Sequence, residues 1–512
     1  MEHGSSVRWW WAAYLLWAAA SIHVALCVDR SVPEPYMDEI FHVPQTQKYC
    51  EGKWSHWDPA LTTPPGLYLI PAALAHLRRQ LPLLKSFTPD PCSLAALRAT
   101  NLVLSFSLPF LNSSLLALLL RTRPGASPRR QTYAWEGLVI AGMPMLGWWA
   151  WMFYTDLASV VAVLLSWRFA LQRRYLPSAL LGAISLLFRQ TNIVWVAFVA
   201  AQALIDRLRL FDNKKGDFSS DPLLRDARPA DLVTVPLKLL SLALQDLPAL
   251  TPVLASYVPV FAAAIAFVRW NGGHIVLGDK SNHVPTVHVA QVWYFLAFAA
   301  FFFSPHLLGV SQVKQSISGS LQTPSRIVGS ILALGLILYS IHNYTVAHPF
   351  LLADNRHYAF YLWRRIIDLH PYARYALAPG YFIAARLLWI QLARAGRMTV
   401  STLILLLGAT CAVLIPTPLL EPRYFLTSLL ILRLYLSPSP STSSSVADSA
   451  IATRTYKRRL VLEAVLYLAV QAVCVWLFLE RPFKWEFEVG ADGKGLQGRD
   501  ERELGRWQRF MW

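Results

Sequence analysis

The sequence predicts an all-α polytopic membrane protein, and three observations carry that expectation. Hydrophobic residues make up 55% of the 512 positions and charged residues only 15%, with a mean hydropathy of +0.38, whereas soluble domains carry about 25% charged residues. Apolar runs recur at lengths able to cross a bilayer, about 20 residues per helix. The net charge of +17 is spread in short clusters between those runs. That pattern matches topology signals rather than the single basic, aromatic-interleaved patch of a nucleic-acid binder.

Taken in order, the opening run "WWWAAYLLWAAASIHVALCV" is long for a signal peptide and lacks a multiply charged basic flank, so residues 1–28 read as a retained first transmembrane helix. Residues 29–96 read as one wet loop. Its apolar stretch "PPGLYLIPAALAHL", about 14 residues, is too short to span and is expected to lie at the interface near 64–77. Spans within 97–205 are expected to begin near 97, 132, 157, 177 and 192. Residues 206–250 mix acid, base and proline and read as a cytosolic loop. Spans within 251–437 are expected near 251, 289, 328, 375, 399 and 424. Residues 438–458, which include "PSTSSSVADSA", read as a low-complexity cytosolic loop, and 459–512 as a last span with a C-terminal tail. The total is about 11 to 14 transmembrane helices.

With the N-terminus cytosolic, the short cytosolic loops (121–131, 172–175, 309–327, 393–398, 438–459) hold 14 Lys/Arg. Those on the other side (153–156, 188–191, 271–288, 342–374, 417–423) hold 7. The bias has the sign of the positive-inside rule and puts 29–96 outside the cytosol.

The polar chemistry gathers on that non-cytosolic side, in "YMDEIFHVPQTQKYC", "FYTD", "FRQTNIVW", "NGGHIVLGDKSNHVPTVH", "HPFLLADNRHYAFYLWRR" and "PTPLLEPRYF". Ionisable groups at membrane depth face a cavity or a partner. Singly, each has a plain alternative. Asp38, Glu39 and Asp156 can cap helices. Arg189, Lys280, Arg356, Arg364 and Arg365 can snorkel to headgroups. Trp54 and Trp57 can belong to an interfacial belt. His42, His56, His274 and His283 lack metal-ligand spacing, and the five cysteines form no CxxC. Cys50 and Cys92 share the first loop and are available for a disulfide, but nothing in the sequence sets their separation. The one-sided set suggests a cavity open to one compartment.

These stretches, with "WDPALTTPPGLYL", "LIPTPLLEPRYF" and the final "RFMW", resemble the endoplasmic reticulum α-1,2-glucosyltransferases that add the third, terminal glucose to the dolichol-linked oligosaccharide. The resemblance runs from about residue 33 to 512 and weakens in 206–250 and 438–458. It implies a GT-C membrane fold with a large first lumenal loop carrying interfacial helices, in a multi-pass protein of the endoplasmic reticulum membrane. The implied donor is dolichyl-phosphate-glucose, the acceptor the diglucosylated nine-mannose dolichyl-diphosphate oligosaccharide, and the site lumenal. Carried over from related enzymes, the catalytic acid falls on Asp38, with Glu39 second. Donor phosphate binding falls on Arg356 and His357, with Lys280 and Arg189 as further cations. Trp54, Trp57, His42, Asp156, Asn355 and Tyr358 are candidate acceptor or sugar contacts. Inversion needs one displacement, hence one base for the acceptor hydroxyl and a stabilised phosphate leaving group. Side-chain cations can neutralise a monophosphate, so no metal or other cofactor is expected. The alternatives are another polyprenyl-phosphate-sugar transferase, such as a mannosyltransferase, or a transporter or channel subunit. Transporters typically show internal repeats, and none is evident here.

Overall fold

The computed structural model describes residues 2–81, 89–121, 130–215, 220–281, 283–437, 446–485 and 505–512. The chain is helical nearly throughout. In order the helices are α1 (Glu2–Ser31), α2 (Glu39–Cys50), α3 (Gly66–Gln80), α4 (Leu94–Ser105), α5 (Leu108–Arg121), α6 (Arg130–Ala141), α7 (Pro144–Ala150), α8 (Thr155–Leu171), α9 (Tyr175–Leu186), α10 (Ile193–Lys215), α11 (Asp231–Gln245) and α12 (Leu247–Trp270). They continue as α13 (Ala290–Phe302), α14 (Ser304–Leu307), α15 (Val310–Leu321), α16 (Pro324–Asn343), α17 (Pro349–Ala353), α18 (Tyr358–Leu362), α19 (Ala373–Ala376), α20 (Ala378–Ala395), α21 (Val400–Leu414), α22 (Leu426–Leu436) and α23 (Val446–Glu480). A short π-helix occupies Trp363–Ile367. Two strands of two residues each, β1 (Phe483–Lys484) and β2 (Trp507–Gln508), pair antiparallel.

Local sequence explains several boundaries. Asp246 caps α12 by accepting the Ala249 N–H at 3.1 Å, with Pro248 in the first turn where a missing N–H costs nothing. Thr323 and Pro324 start α16 in the same way. Pro65 precedes α3, whose exposed Leu69, Ile70, Leu74 and Leu77 follow helical spacing while Leu67, Tyr68, Ala72 and Ala75 are buried. The helix expected near 64–77 is present as α3.

Among the described residues six helices are long and apolar enough to span: Val7–Ser31, Leu94–Leu120, Leu247–Trp270, Pro324–Asn343, Ala373–Ala395 and Thr453–Glu480. A seventh arises if α7 and α8, bent by 116°, form one broken span. Length and composition alone thus support fewer spans than the 11 to 14 expected, because apolar stretches such as Tyr175–Leu186, Ala290–Phe302 and Val400–Leu414 are short helices. Several stretches read as loops also contain helix, 342–374 with α17 and α18 among them. The segment 206–250 holds the end of α10 and all of α11, 309–327 holds α15, and 446–458 belongs to α23. The remainder of the low-complexity stretch, 438–445, lies outside the described residues.

The chain divides into two units, Met1–Val284 with Gly396–Ala409, and Pro285–Ala395 with Thr410–Trp512. In the first, an apolar cluster that includes Val43, Tyr49, Leu61, Leu67, Tyr68, Leu97, Phe153 and Phe188 joins α2 and α3 to α4 and the α7–α8 corner. A Cys50–Cys92 disulfide ties the end of α2 to the segment before α4.

Candidate functional site

In the first unit the segments singled out by sequence meet around the start of α2. Met37 has φ 54°, the left-handed region that non-glycine residues use sparingly and that recurs at functional sites. The two acids that follow it have opposite environments. Glu39 is fully buried. Its Oε2 accepts from Arg98 Nη2 at 2.6 Å and from the Tyr36 N–H at 3.1 Å, and its Oε1 accepts from Arg98 Nε at 2.9 Å and the Phe153 N–H at 2.8 Å. Both lone-pair sets are engaged, so Glu39 positions its neighbours and is closed to a substrate. Asp38 is half-buried, caps α2 without a side-chain hydrogen bond to the helix, and donates its N–H to Tyr154 Oη at 3.0 Å. One turn on, His42 Nδ1 lies 2.7 Å from Tyr68 Oη. Burial pushes the Tyr68 hydroxyl well above its ordinary range, a Thr63 hydrogen bond opposes this, and the Asp38 charge adds to the rise. Tyr68 therefore stays a neutral hydroxyl beside a carboxylate.

Asp156, buried in the first turn of α8, pairs with Arg189 at 3.1 Å; the positive end of the helix dipole also favours a carboxylate there. The glycine-rich loop after α12 folds back on the first loop. Leu277, Gly278 and Asp279 donate their N–H groups to the Thr62, Leu61 and Pro59 carbonyls at 3.0–3.1 Å. A Cβ on Gly278 would collide with the Pro59 carbonyl, so only glycine admits this approach. Lys280 donates to the Asn271 carbonyl at 3.1 Å. Gln190 Nε2 reaches the Thr62 carbonyl at 2.7 Å, and the Gly66 N–H reaches Leu187. Trp57 packs against Tyr68, whereas Trp54 is 48% exposed and stacks on His76 at 5.2 Å. Trp54 is thus the tryptophan with an open surface for a sugar face.

The second unit holds the "DNRHY" stretch, and its chemistry differs from the sequence expectation. Arg356 is buried. It donates to Asp354 through Nε at 2.8 Å and Nη2 at 2.7 Å and to Gln508 Oε1 at 3.1 Å, and its guanidinium lies over the Trp485 ring at 4.6 Å. Burial pushes the Asp354 carboxyl up, but the Arg356 hydrogen bonds and the His357 charge outweigh it and hold it below its usual range. The Arg356 carbonyl accepts from the Met511 N–H, and the Tyr358 N–H donates to the Met511 carbonyl. His357 Nδ1 lies 2.8 Å from the main-chain oxygen of Trp512, an acceptor, so that nitrogen carries the proton. Asn355 accepts from the Trp485 indole at 2.7 Å, and Tyr358 packs on Trp512 at 5.3 Å. Arg356 is thus a clasp for residues 507–512 rather than an open fork.

Sequence reasoning passed over Arg98, Tyr68, Tyr154, Asp354, Trp485 and Gln508. Arg98 carried a signal, being a lone cation at the start of an apolar span. Asp354 sits two positions before Arg356, inside the quoted stretch; Tyr154, Trp485 and Gln508 have partners far away in the chain. Among the described residues no group of three or more His, Cys, Asp or Glu is arranged to hold a metal.

A family model described as "DIE2/ALG10 family" matches residues 32–434. A relative from Arabidopsis thaliana is 34% identical over 540 residues, covering 96% of this chain and 97% of its own. One from Mus musculus is 35% identical over 466 residues, covering 89% and 92%, and one from Homo sapiens 32% over 468, covering 89% and 92%. All three are named Dol-P-Glc:Glc(2)Man(9)GlcNAc(2)-PP-Dol alpha-1,2-glucosyltransferase. No solved structure matches. With the family model covering most of the chain, and these relatives aligned nearly end to end, the chain belongs to the DIE2/ALG10 family.

Proposed function

We propose that this protein transfers glucose from dolichyl-phosphate-glucose to the diglucosylated, nine-mannose oligosaccharide on dolichyl diphosphate, forming the terminal α-1,2 linkage. The observation that carries the reading is the near end-to-end similarity to relatives bearing that one name. The GT-C fold, the endoplasmic reticulum membrane and a lumenal site belong to the same reading, supported by the family resemblance and the charge bias of the loops.

The chemistry is a single displacement. The acceptor hydroxyl oxygen attacks C1 of glucose on the face opposite the phosphate, the C1–O bond to phosphate breaks, and dolichyl phosphate leaves. Asp38 takes the hydroxyl proton. The support is the contrast at the start of α2, where Glu39 is sealed by four hydrogen bonds while its neighbour is half-exposed. A base in that role contributes typically ~10²–10⁴-fold. Trp54 offers a face to the acceptor glycan. Metal independence is part of the proposal and rests on cationic side chains meeting the leaving phosphate. Microsomes containing the protein, given dolichyl-phosphate-glucose and the diglucosylated acceptor with excess chelator, should lengthen the glycan by one hexose. No product, or transfer from dolichyl-phosphate-mannose instead, would overturn the reading.

A further inference from the structure

The cations of "HPFLLADNRHYAFYLWRR" divide sharply by partner. Arg356 is consumed by Asp354, Gln508 and Trp485. Arg364 and Arg365, eight and nine residues on, are exposed, and their contacts are with the rings of Phe360 at 5.9 Å and Tyr361 at 5.4 Å. Neither is paired with a carboxylate among the described residues. Arg364 lines a cavity of about 220 Å³ with Leu351, Leu352, Phe360, Trp363 and Asp368. Asp368 is itself neutralised by Arg374. Trp363 is only 2% exposed and forms a wall of the cavity. The cavity is built on the π-helix Trp363–Ile367, a distortion frequent at functional sites. Leu352, Leu362, Ile366 and Leu369 expose apolar surface on the same stretch.

We propose that this cavity, with Arg364 as its donor, binds the phosphate of a long-chain lipid monophosphate lying at the bilayer surface. The chemistry fits that class of ligand on three counts. A guanidinium donates in a planar fork that suits phosphate oxygens. The cavity, of about 220 Å³, has room for a phosphate head. The exposed leucines and isoleucine offer an apolar track for a hydrocarbon chain that stays in the membrane. The proposal rests on the function argued above: in that reaction the ligand is the donor, and afterwards its product, dolichyl phosphate. It moves the phosphate contact from Arg356 to Arg364.

The test uses the full-length protein in nanodiscs of neutral phosphatidylcholine, measuring the donor KM, the acceptor KM and inhibition by dolichyl phosphate. Arg364→Ala should raise the donor KM and weaken dolichyl phosphate inhibition about tenfold to a hundredfold, as expected for loss of a charge-assisted hydrogen bond, with acceptor KM unchanged. Arg364→Lys should recover part of the loss. Arg364→Gln removes the charge while keeping much of the side chain, so it should weaken both readouts much as Ala does; it also keeps the test open if Arg364→Ala folds poorly. Wild-type donor KM and inhibition in both Arg364→Ala and Arg364→Gln would overturn the proposal while leaving glucosyl transfer standing. Discs doped with phosphatidylglycerol separate the two sources of phosphate. If that lipid displaces dolichyl phosphate from the wild type as readily as unlabelled dolichyl phosphate does, the cavity is a general phospholipid site and the assignment to the donor fails. If the wild type transfers no glucose at all, the functional reading fails instead, and direct binding of dolichyl phosphate to wild type against Arg364→Ala still decides the cavity.

Discussion

Glu39→Gln should cost stability rather than chemistry, and the structure sets the size of the loss. Each carboxylate oxygen of Glu39 accepts two hydrogen bonds, one from Arg98 and one from a main-chain N–H. Glutamine retains one oxygen and places an NH₂ where the other stood, so one end turns a donor toward two donors. Arg98, 2% exposed, keeps Asp29 at 3.0 Å and the Val32 carbonyl at 2.9 Å as partners. Breaking a buried ion pair by removing one partner costs about 3–5 kcal/mol. The surviving Asp29 contact argues for the lower end, about 3 kcal/mol, a large part of a typical total of 5–15 kcal/mol. At roughly 2–4 °C per kcal/mol for larger domains, Tm in detergent should fall by about 6–12 °C. The assay is thermal unfolding of the purified variant, with glucosyl transfer expressed per folded molecule, which should stay within a few-fold of wild type. A variant with wild-type Tm and no turnover would refute the argument and make Glu39 the chemical acid.

The same assay set carries further predictions. Asp38→Asn should fold normally and lose ~10²–10⁴-fold in turnover; Asp38→Glu should also be impaired, because a carboxylate displaced by about 1 Å can lose ~10²-fold. Retention of more than a tenth of activity in Asp38→Asn would place the base elsewhere, with Asp156 next to be tested. Arg356→Ala should lower Tm by leaving Asp354 buried without its fork, and Arg356→Lys should recover little because Lys lacks the bidentate geometry; a normal Tm with a raised donor KM would return Arg356 to the phosphate. Cys50→Ser opens a disulfide of sequence separation 42 and should cost about 4 kcal/mol on the chain-entropy model, read as a drop in Tm that reductant reproduces in the wild type. His288 is fully buried, and burial, partly offset by the nearby main chain of Pro418 and Thr417, pushes its pKa down to about 4. Its unfolded form binds a proton near pH 6.5 while the folded form resists until about pH 4, so stability should fall as pH drops through that window, by on the order of 3 kcal/mol at most. A His288→Gln variant with an unchanged pH slope of Tm would remove His288 as the cause.

Much of the architecture was legible because it follows from local properties of the chain. Hydropathy over about 20 residues decides whether a helix can cross hydrocarbon, whatever it packs against, and so α1, α12 and α16 stand where their apolar runs stand. That α3, 15 residues long, is too short to span was legible for the same reason. The span read as starting near 132 was not, since its helix stops at Ala141 and a new one starts at Pro144.

The candidate site divides along the same line. The sequence by itself determined that acids, tryptophans and arginines of the right types gather in a few stretches between apolar helices. It left Asp38 and Glu39, adjacent and chemically alike, nearly indistinguishable, and it ranked Arg356 above Arg364. Only the tertiary structure gives the members of each pair different surroundings. Arg98, 59 positions from Glu39, closes one carboxylate, and Gln508, 152 positions from Arg356, helps close one guanidinium. The reason is physical: a charged group's role depends on whether its hydrogen-bonding capacity is already taken and how far water reaches it. Both are set by partners brought from elsewhere in the chain, which hydropathy and spacing along one segment do not encode.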